Sequence, residues 1–194
     1  EEPGAQGKPR SASLRFAGHL IMFDMTELII SLMICGVPDV PLWGIEGAAS
    51  IHYLILTTDS TCDRWALPYP VYRLETGDVD GDGNTDALVG VIKGTRFHPE
   101  KGRRLFIFKN HHGLVRPLWL GSKLGGRLID FRFTDGRIRS LEAASDNIYV
   151  VAEYEWDGFG PAFYRYIVRN ADEQTARMAF SRTDPALPRQ ENGE

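Results

Sequence analysis

The sequence predicts an all-β fold of short antiparallel strands gathered into about three similar units. Three observations carry that expectation. Most apolar runs are short and rich in β-branched and aromatic residues, as in SIHYLIL (50–56), RLFIFK (104–109), NIYVVAEYEW (147–156) and AFYRYIV (162–168). Gly, Asn and Asp punctuate them at turn-like spacing. A succession of strand, acidic turn, strand, hairpin and strand then recurs along the chain.

The opening EEPGAQGKPRSAS is polar and rich in Gly, Pro and Ser, so residues 1–13 read as a flexible tether. A β repeat domain follows over 14–170, with units at about 14–67, 68–121 and 122–170 and a period of roughly 50 residues, the scale of propeller blades. Residues 171–194 form a C-terminal extension. The first unit has FAGHLIMFDMTELIISLMIC and then SIHYLIL. Within it, residues 24–36 fit a helix capped at Asp24 or Thr26 and stopped at Gly36, but also a strand. Laying TELIISLMICG (26–36) over TDALVGVIKG (85–94) favours the strand. The second unit has VYRLETGDVDGDGNTDALVGVI and then RLFIFKNHHGLVRPLWL. The third has LIDFRFTDGRIRSLEAA and then NIYVVAEYEWDGFGPAFYRYIV. NHHG (110–113) and WDGFG (156–160) read as hairpin connections. Alternation puts Val150, Ala152, Tyr154 and Trp156 on one strand face and Tyr149, Val151, Glu153 and Glu155 on the other.

Only the middle unit carries the full acidic turn, GDVDGDGNTD (77–86). The first retains Asp24 and Glu27, and the third Asp135 and Gly136. Four carboxylates in so short a loop repel one another. A like-charge pair at about 4 Å costs about 1 kcal/mol in water and about 4 at an effective dielectric of 20. A divalent cation removes that cost. Ca2+ suits the loop, because it is hard, prefers oxygen and accepts irregular shells. Asp78, Asp80 and Asp82 stand at alternate positions, so a curling loop turns all three inward. Gly81 and Gly83 permit positive φ. Asn84 offers its backbone carbonyl and Asp86 the last side-chain ligand. Val89 stands where an EF-hand needs a bidentate Glu, and the flanks read as strands. The loop therefore joins two strands.

GDVDGDGNTDALVGV resembles the Asp-x-Asp-Gly-Asp-Gly-x-x-Asp turn of FG-GAP and VCBS-type repeats, and the stretch 95–124 looks like the continuation of such a blade in bacterial members of unassigned function. Those repeats build β-propeller blades in integrin α-subunits and in many exported bacterial proteins. The resemblance implies a metal in the turn between the first two strands of a blade, held by Asp78, Asp80, Asp82, the Asn84 carbonyl and Asp86. Three units are too few for an ordinary closed propeller. The resemblance thus leaves an open or irregular array, a fragment of a larger ring, or a sheet assembly of another shape.

Other candidate groups carry weaker signals. The formal net charge is −4 and no basic stripe is present, which argues against a nucleic-acid partner. Lys101, Arg103 and Arg104 read as a solvated strand edge. His98, His111 and His112 could meet as a metal or acid–base site, although adjacent His on an extended backbone point apart. Glu153 and Glu155 share a strand face, as a glycosidase pair could, but a solvent-facing or edge position is the simpler reading. Trp43, Trp65, Tyr69, Tyr72, Trp119 and Trp156 either pack the core or stack on a partner. Cys35 and Cys62 lack zinc spacing, and either a disulfide or two unrelated thiols fits. No phosphate loop, nucleophile elbow or zinc-protease motif occurs. The apolar stretch 20–36 is too short and too charged for a membrane span.

These features point to a calcium-binding module for a protein or glycan partner rather than to an enzyme. The polar lead-in suits a mature form after leader removal that is secreted, periplasmic or on the cell surface, with a lipid anchor on the N-terminal side as one option. The alternatives are an extracellular hydrolase of a polymer and a structural subunit of a larger assembly. Clustered His and carboxylates in a pocket would favour the enzyme. A broad exposed aromatic patch would favour the binder, and open sheet edges the assembly.

Overall fold

A computed structural model of the chain describes residues 41–48, 51–94, 99–121 and 124–182. The chain divides into Glu1–Gly36 and Val37–Glu194, and every described residue belongs to the second unit. The tether, the segment 24–36 with its acids Asp24 and Glu27, Cys35 and His98 all lie outside the described residues.

The described residues form eleven strands and one short helix, and the strands make three antiparallel sheets that do not close into a barrel. The expected all-β class with blade-like sheets is what the structure shows. Sheet I contains β1 (Leu42–Ala48), β2 (Ile51–Thr57) and β3 (Cys62–Leu67). Sheet II contains β4 (Val71–Gly77), β5 (Asp86–Lys93), β6 (Gly102–His111) and β7 (Leu114–Trp119). Sheet III contains β8 (Arg127–Thr134), β9 (Arg137–Ser145), β10 (Ile148–Trp156) and β11 (Pro161–Ala171). Each sheet uses one contiguous stretch of chain, with strands in sequence order. Such meanders arise when tight turns outnumber long connections. His112–Gly113 and Asp135–Gly136 both take left-handed backbone at two successive residues. That geometry matches the twist of the flanking strands.

The sheets pack face to face. Trp43, Leu54, Leu56 and Leu67 of sheet I meet Ala87, Val89, Phe106 and Phe108 of sheet II. On the other face of sheet II, Leu88, Leu105 and Ile107 meet Leu128, Phe131, Ile138 and Tyr154 of sheet III. The central sheet is buried on both faces. This explains why ALVGVI in β5 is a continuous apolar run instead of an alternating one. Between sheets II and III, the Arg73 guanidinium donates to both Asp130 oxygens at 2.7 Å. The Tyr72 ring meets the Phe131 ring edge-on at 6.2 Å.

The outer face of sheet III is covered by helix α1 (Glu173–Ser181). The Asp172 carboxylate caps the helix by accepting from the Thr175 backbone N–H at 2.8 Å. Ala176 and Phe180, one turn apart, pack against Leu141, Val151 and Ala171. The alternation in β10 follows: Ala152, Tyr154 and Trp156 face sheet II, and Tyr149 and Val151 face the helix. The solvent-facing position expected for Glu153 is wrong. Glu153 is 2% exposed, and it lies between Arg139 and Arg165, whose side-chain nitrogens donate to it at 2.7–3.1 Å. Another arm of Arg139 reaches the Arg182 carbonyl just past α1, so the helix side of the sheet is roofed over. Glu155 is exposed.

Phe131 anchors the interface between sheets II and III and has no exposed surface. Phe131→Ala should destabilise the fold by about 3–5 kcal/mol, through lost transfer energy and the cavity left behind. Urea denaturation should show a lower midpoint with an unchanged slope.

Candidate metal centre

The acidic loop runs from Asp78 to Thr85 and joins β4 to β5. Its ends are closed by the pairing of Gly77 with Asp86. Inside the loop, carboxylates organise the backbone. Asp78 accepts from the N–H groups of Gly81 (2.8 Å) and Gly83 (3.0 Å). Asp80 accepts from the Asp82 N–H at 3.3 Å. Gly81 and Gly83 take φ of +74° and +85°, the left-handed backbone expected of them. Two outside contacts position the loop. The Trp43 indole N–H of β1 donates to the Thr85 carbonyl at 2.7 Å. Val79 turns its side chain inward, to the core between sheets II and III.

Asp86 is the unusual member. It is fully buried. Its Oδ2 accepts from the Val79 N–H at 3.0 Å, and its Oδ1 has no partner. Burial pushes its pKa up to about 6, opposed by the Val79 amide and, more weakly, the Asp80 amide, and reinforced by the charges of Asp80 and Asp82. Asp78, Asp80 and Asp86 each bring a carboxylate oxygen to within 4.8 Å of the others. Converging hard oxygen donors, with one buried oxygen lacking a partner, are a donor set that could hold a hard divalent cation.

Asp82 is not brought into this trio. Its Oδ1 accepts from the Asn84 backbone N–H (2.8 Å) and side-chain amide (3.0 Å), and its Oδ2 accepts from Lys109 Nζ at 3.0 Å. The Asn84 amide first, and then Lys109, hold its pKa below the usual carboxylate range. Lys109 also donates to Asp80 Oδ2 at 2.6 Å. These carboxylates raise the lysine pKa, Asp80 foremost. Asn84 meets its neighbours here through amide nitrogens. Lys109 was not legible as part of the site: it ends the run RLFIFK, and only the strand pairing that sets Phe108 beside Ala87 carries it to the loop.

The remaining candidates sort into structural roles. The rings of His111 and His112 lie 4.5 Å apart with their planes at 64°, contrary to the expectation that they point apart. The reason is that His112 takes left-handed backbone at the hairpin turn. Among the described residues, no His or Cys joins a cluster of three metal-ligating side chains. The Arg103 guanidinium stacks 4.7 Å from the Tyr72 ring and donates to the Ile129 carbonyl, tying sheet II to sheet III. Trp43, Trp65 and Tyr69 pack in the core between sheets I and II. Tyr72, Trp119 and Trp156 pack between sheets II and III. Cys62 is a free, exposed thiol.

A raised carboxyl pKa means that the folded chain binds this proton more tightly than the unfolded one. The metal-free fold therefore loses stability as pH rises from about 3.8 through about 6. Asp86→Asn removes the buried charge and keeps an acceptor for Val79. It should stabilise the calcium-free protein at pH 7.5 by about 1–3 kcal/mol and have almost no effect at pH 4, read from chemical denaturation at the two pH values.

The chain matches no family model and no curated protein. Among solved structures it is similar to a Xanthomonas type IV secretion system related protein, at 13% identity and a TM-score of 0.35, over 64% of this chain and 72% of that one.

Proposed function

We propose that the chain is a calcium-binding β-repeat module that works outside the cytoplasm by docking a protein or glycan partner. The observation that carries the metal assignment is the Asp86 carboxylate, fully buried with one oxygen unpartnered, beside Asp78 and Asp80. A divalent ion there would offset much of the loop's negative charge and could supply the missing partner. With three side-chain oxygens converging, the donor set is small. A small donor set of this kind would bind weakly, as calcium sites of extracellular modules do at about 10⁻⁴–10⁻³ M. No helix among the described residues is long and apolar enough to cross a membrane.

Exposed aromatics on the edge strand β11 support docking, with Phe163 and Tyr166 on the face of Tyr154 and Tyr164 on the opposite face beside Arg137. Phe159, Phe163, Tyr164 and Tyr166 are all exposed on β11 and the turn before it. Phe163 and Tyr166 pack ring to ring at 4.6 Å, and the Arg137 and Arg169 guanidiniums lie over Tyr164 and Tyr166 at 4.0 and 5.3 Å. Aromatic and Arg side chains are the types that anchor partners. The Glu153 carboxylate of the Glu153/Glu155 pair is held between Arg139 and Arg165, which argues against that pair as a glycosidase site.

Calcium at about ten times its Kd should stabilise the stripped protein by about 1.4 kcal/mol, or roughly 3–6 °C in melting temperature. The Asp78→Ala/Asp80→Ala variant should melt at the same temperature with and without calcium. A native melt indifferent to calcium at several millimolar would remove the metal assignment.

A further inference from the structure

We propose that Lys109 is a built-in counter-cation that weakens the loop's hold on calcium by occupying part of the site. The inference rests on the calcium assignment made above and goes beyond it, to how the affinity is set.

Lys109 comes from β6 and not from the loop, and its ammonium bridges Asp80 (2.6 Å) and Asp82 (3.0 Å). Asp80 belongs to the converging trio, and Asp82 does not. The lysine thus acts on the site in two ways. It shares Asp80 with any bound ion, so two positive charges crowd one carboxylate. It also pairs with Asp82, which stands outside the trio and accepts from Asn84. Site competence does not depend on the acidic cluster alone, because the buried Asp86 Oδ1 lacks a partner whether or not Lys109 is present. The lysine offsets the charge of Asp80 and Asp82 and leaves Asp86 unanswered. Removing its charge should therefore destabilise the empty loop and strengthen the filled one.

The test is calcium titration calorimetry on the native protein, Lys109→Met, Asp82→Asn and the combination, with melts in chelator. Lys109→Met should bind calcium at least about tenfold more tightly, by relief of charge repulsion and release of Asp82. It should melt lower than native in chelator. Asp82→Asn should change native affinity by less than about threefold, yet weaken the Lys109→Met protein by about tenfold. Lys109→Arg keeps the charge and should bind as the native does, which guards against an effect of altered packing. Two results would overturn the inference and leave the calcium site standing. One is equal or weaker binding by Lys109→Met in a protein whose native form binds calcium. The other is an Asp82→Asn loss as large in the native background as in the variant. No binding by any of the five proteins would overturn both the inference and the calcium assignment.

Discussion

One buried carboxylate organises the acidic-loop end of the described fold. Asp86 is the first residue of β5, a central strand of the middle sheet, and its side chain has no exposed surface. One oxygen is tied to the Val79 amide and the other has no partner. A charge in that position is unfavourable unless something answers it. The same hydrogen bond that buries Asp86 also folds the loop back over the strand. Structure and electrostatic strain therefore share a single origin, and a cation is the simplest way to keep the first while relieving the second.

The rest of the architecture holds this residue in place. Sheet II lies between sheets I and III and is apolar on both faces. Both faces are close-packed against their neighbours, so each buried apolar side chain of β5 and β6 has a specific partner across one interface or the other. From sheet I, Trp43 grips the Thr85 carbonyl one residue before Asp86. From β6, Lys109 grips Asp80 and Asp82. The loop is held from two sides before any ion arrives, so much of its ordering entropy is already spent. At the other end of the stack, α1 covers the outer face of sheet III and encloses the Arg139–Glu153 pair.

How much of this the sequence disclosed depends on the range of the interaction. The hairpins at 110–113, 135–136 and 156–160 were legible because turn chemistry is local. So were the positive φ angles of Gly81 and Gly83 and the convergence of Asp78, Asp80 and Asp86. The diversion of Asp82 was not, because it depends on a lysine 27 residues away. Glu153 misled for a similar reason. Its alternation assigned a face correctly, but that face is covered by a helix in the stretch read as an extension. The helix itself carried a signal in Asp172 ahead of Thr175 and in Ala176 and Phe180 one turn apart. The aromatic run AFYRYIV announced a strand, yet nothing in it said that Phe163, Tyr164 and Tyr166 would stay exposed. That outcome is set by β11 being the edge of its sheet.

The most direct measurement is terbium luminescence excited through tryptophan. Tb3+ takes hard oxygen sites of calcium type, and the Trp43 indole is hydrogen-bonded to the loop itself. The account predicts saturable sensitised emission that calcium displaces, that falls in Trp43→Phe, and that disappears in Asp78→Ala/Asp86→Ala. Emission no greater than that of the free ion, or emission indifferent to calcium and to loss of both aspartates, would contradict a metal centre at this turn.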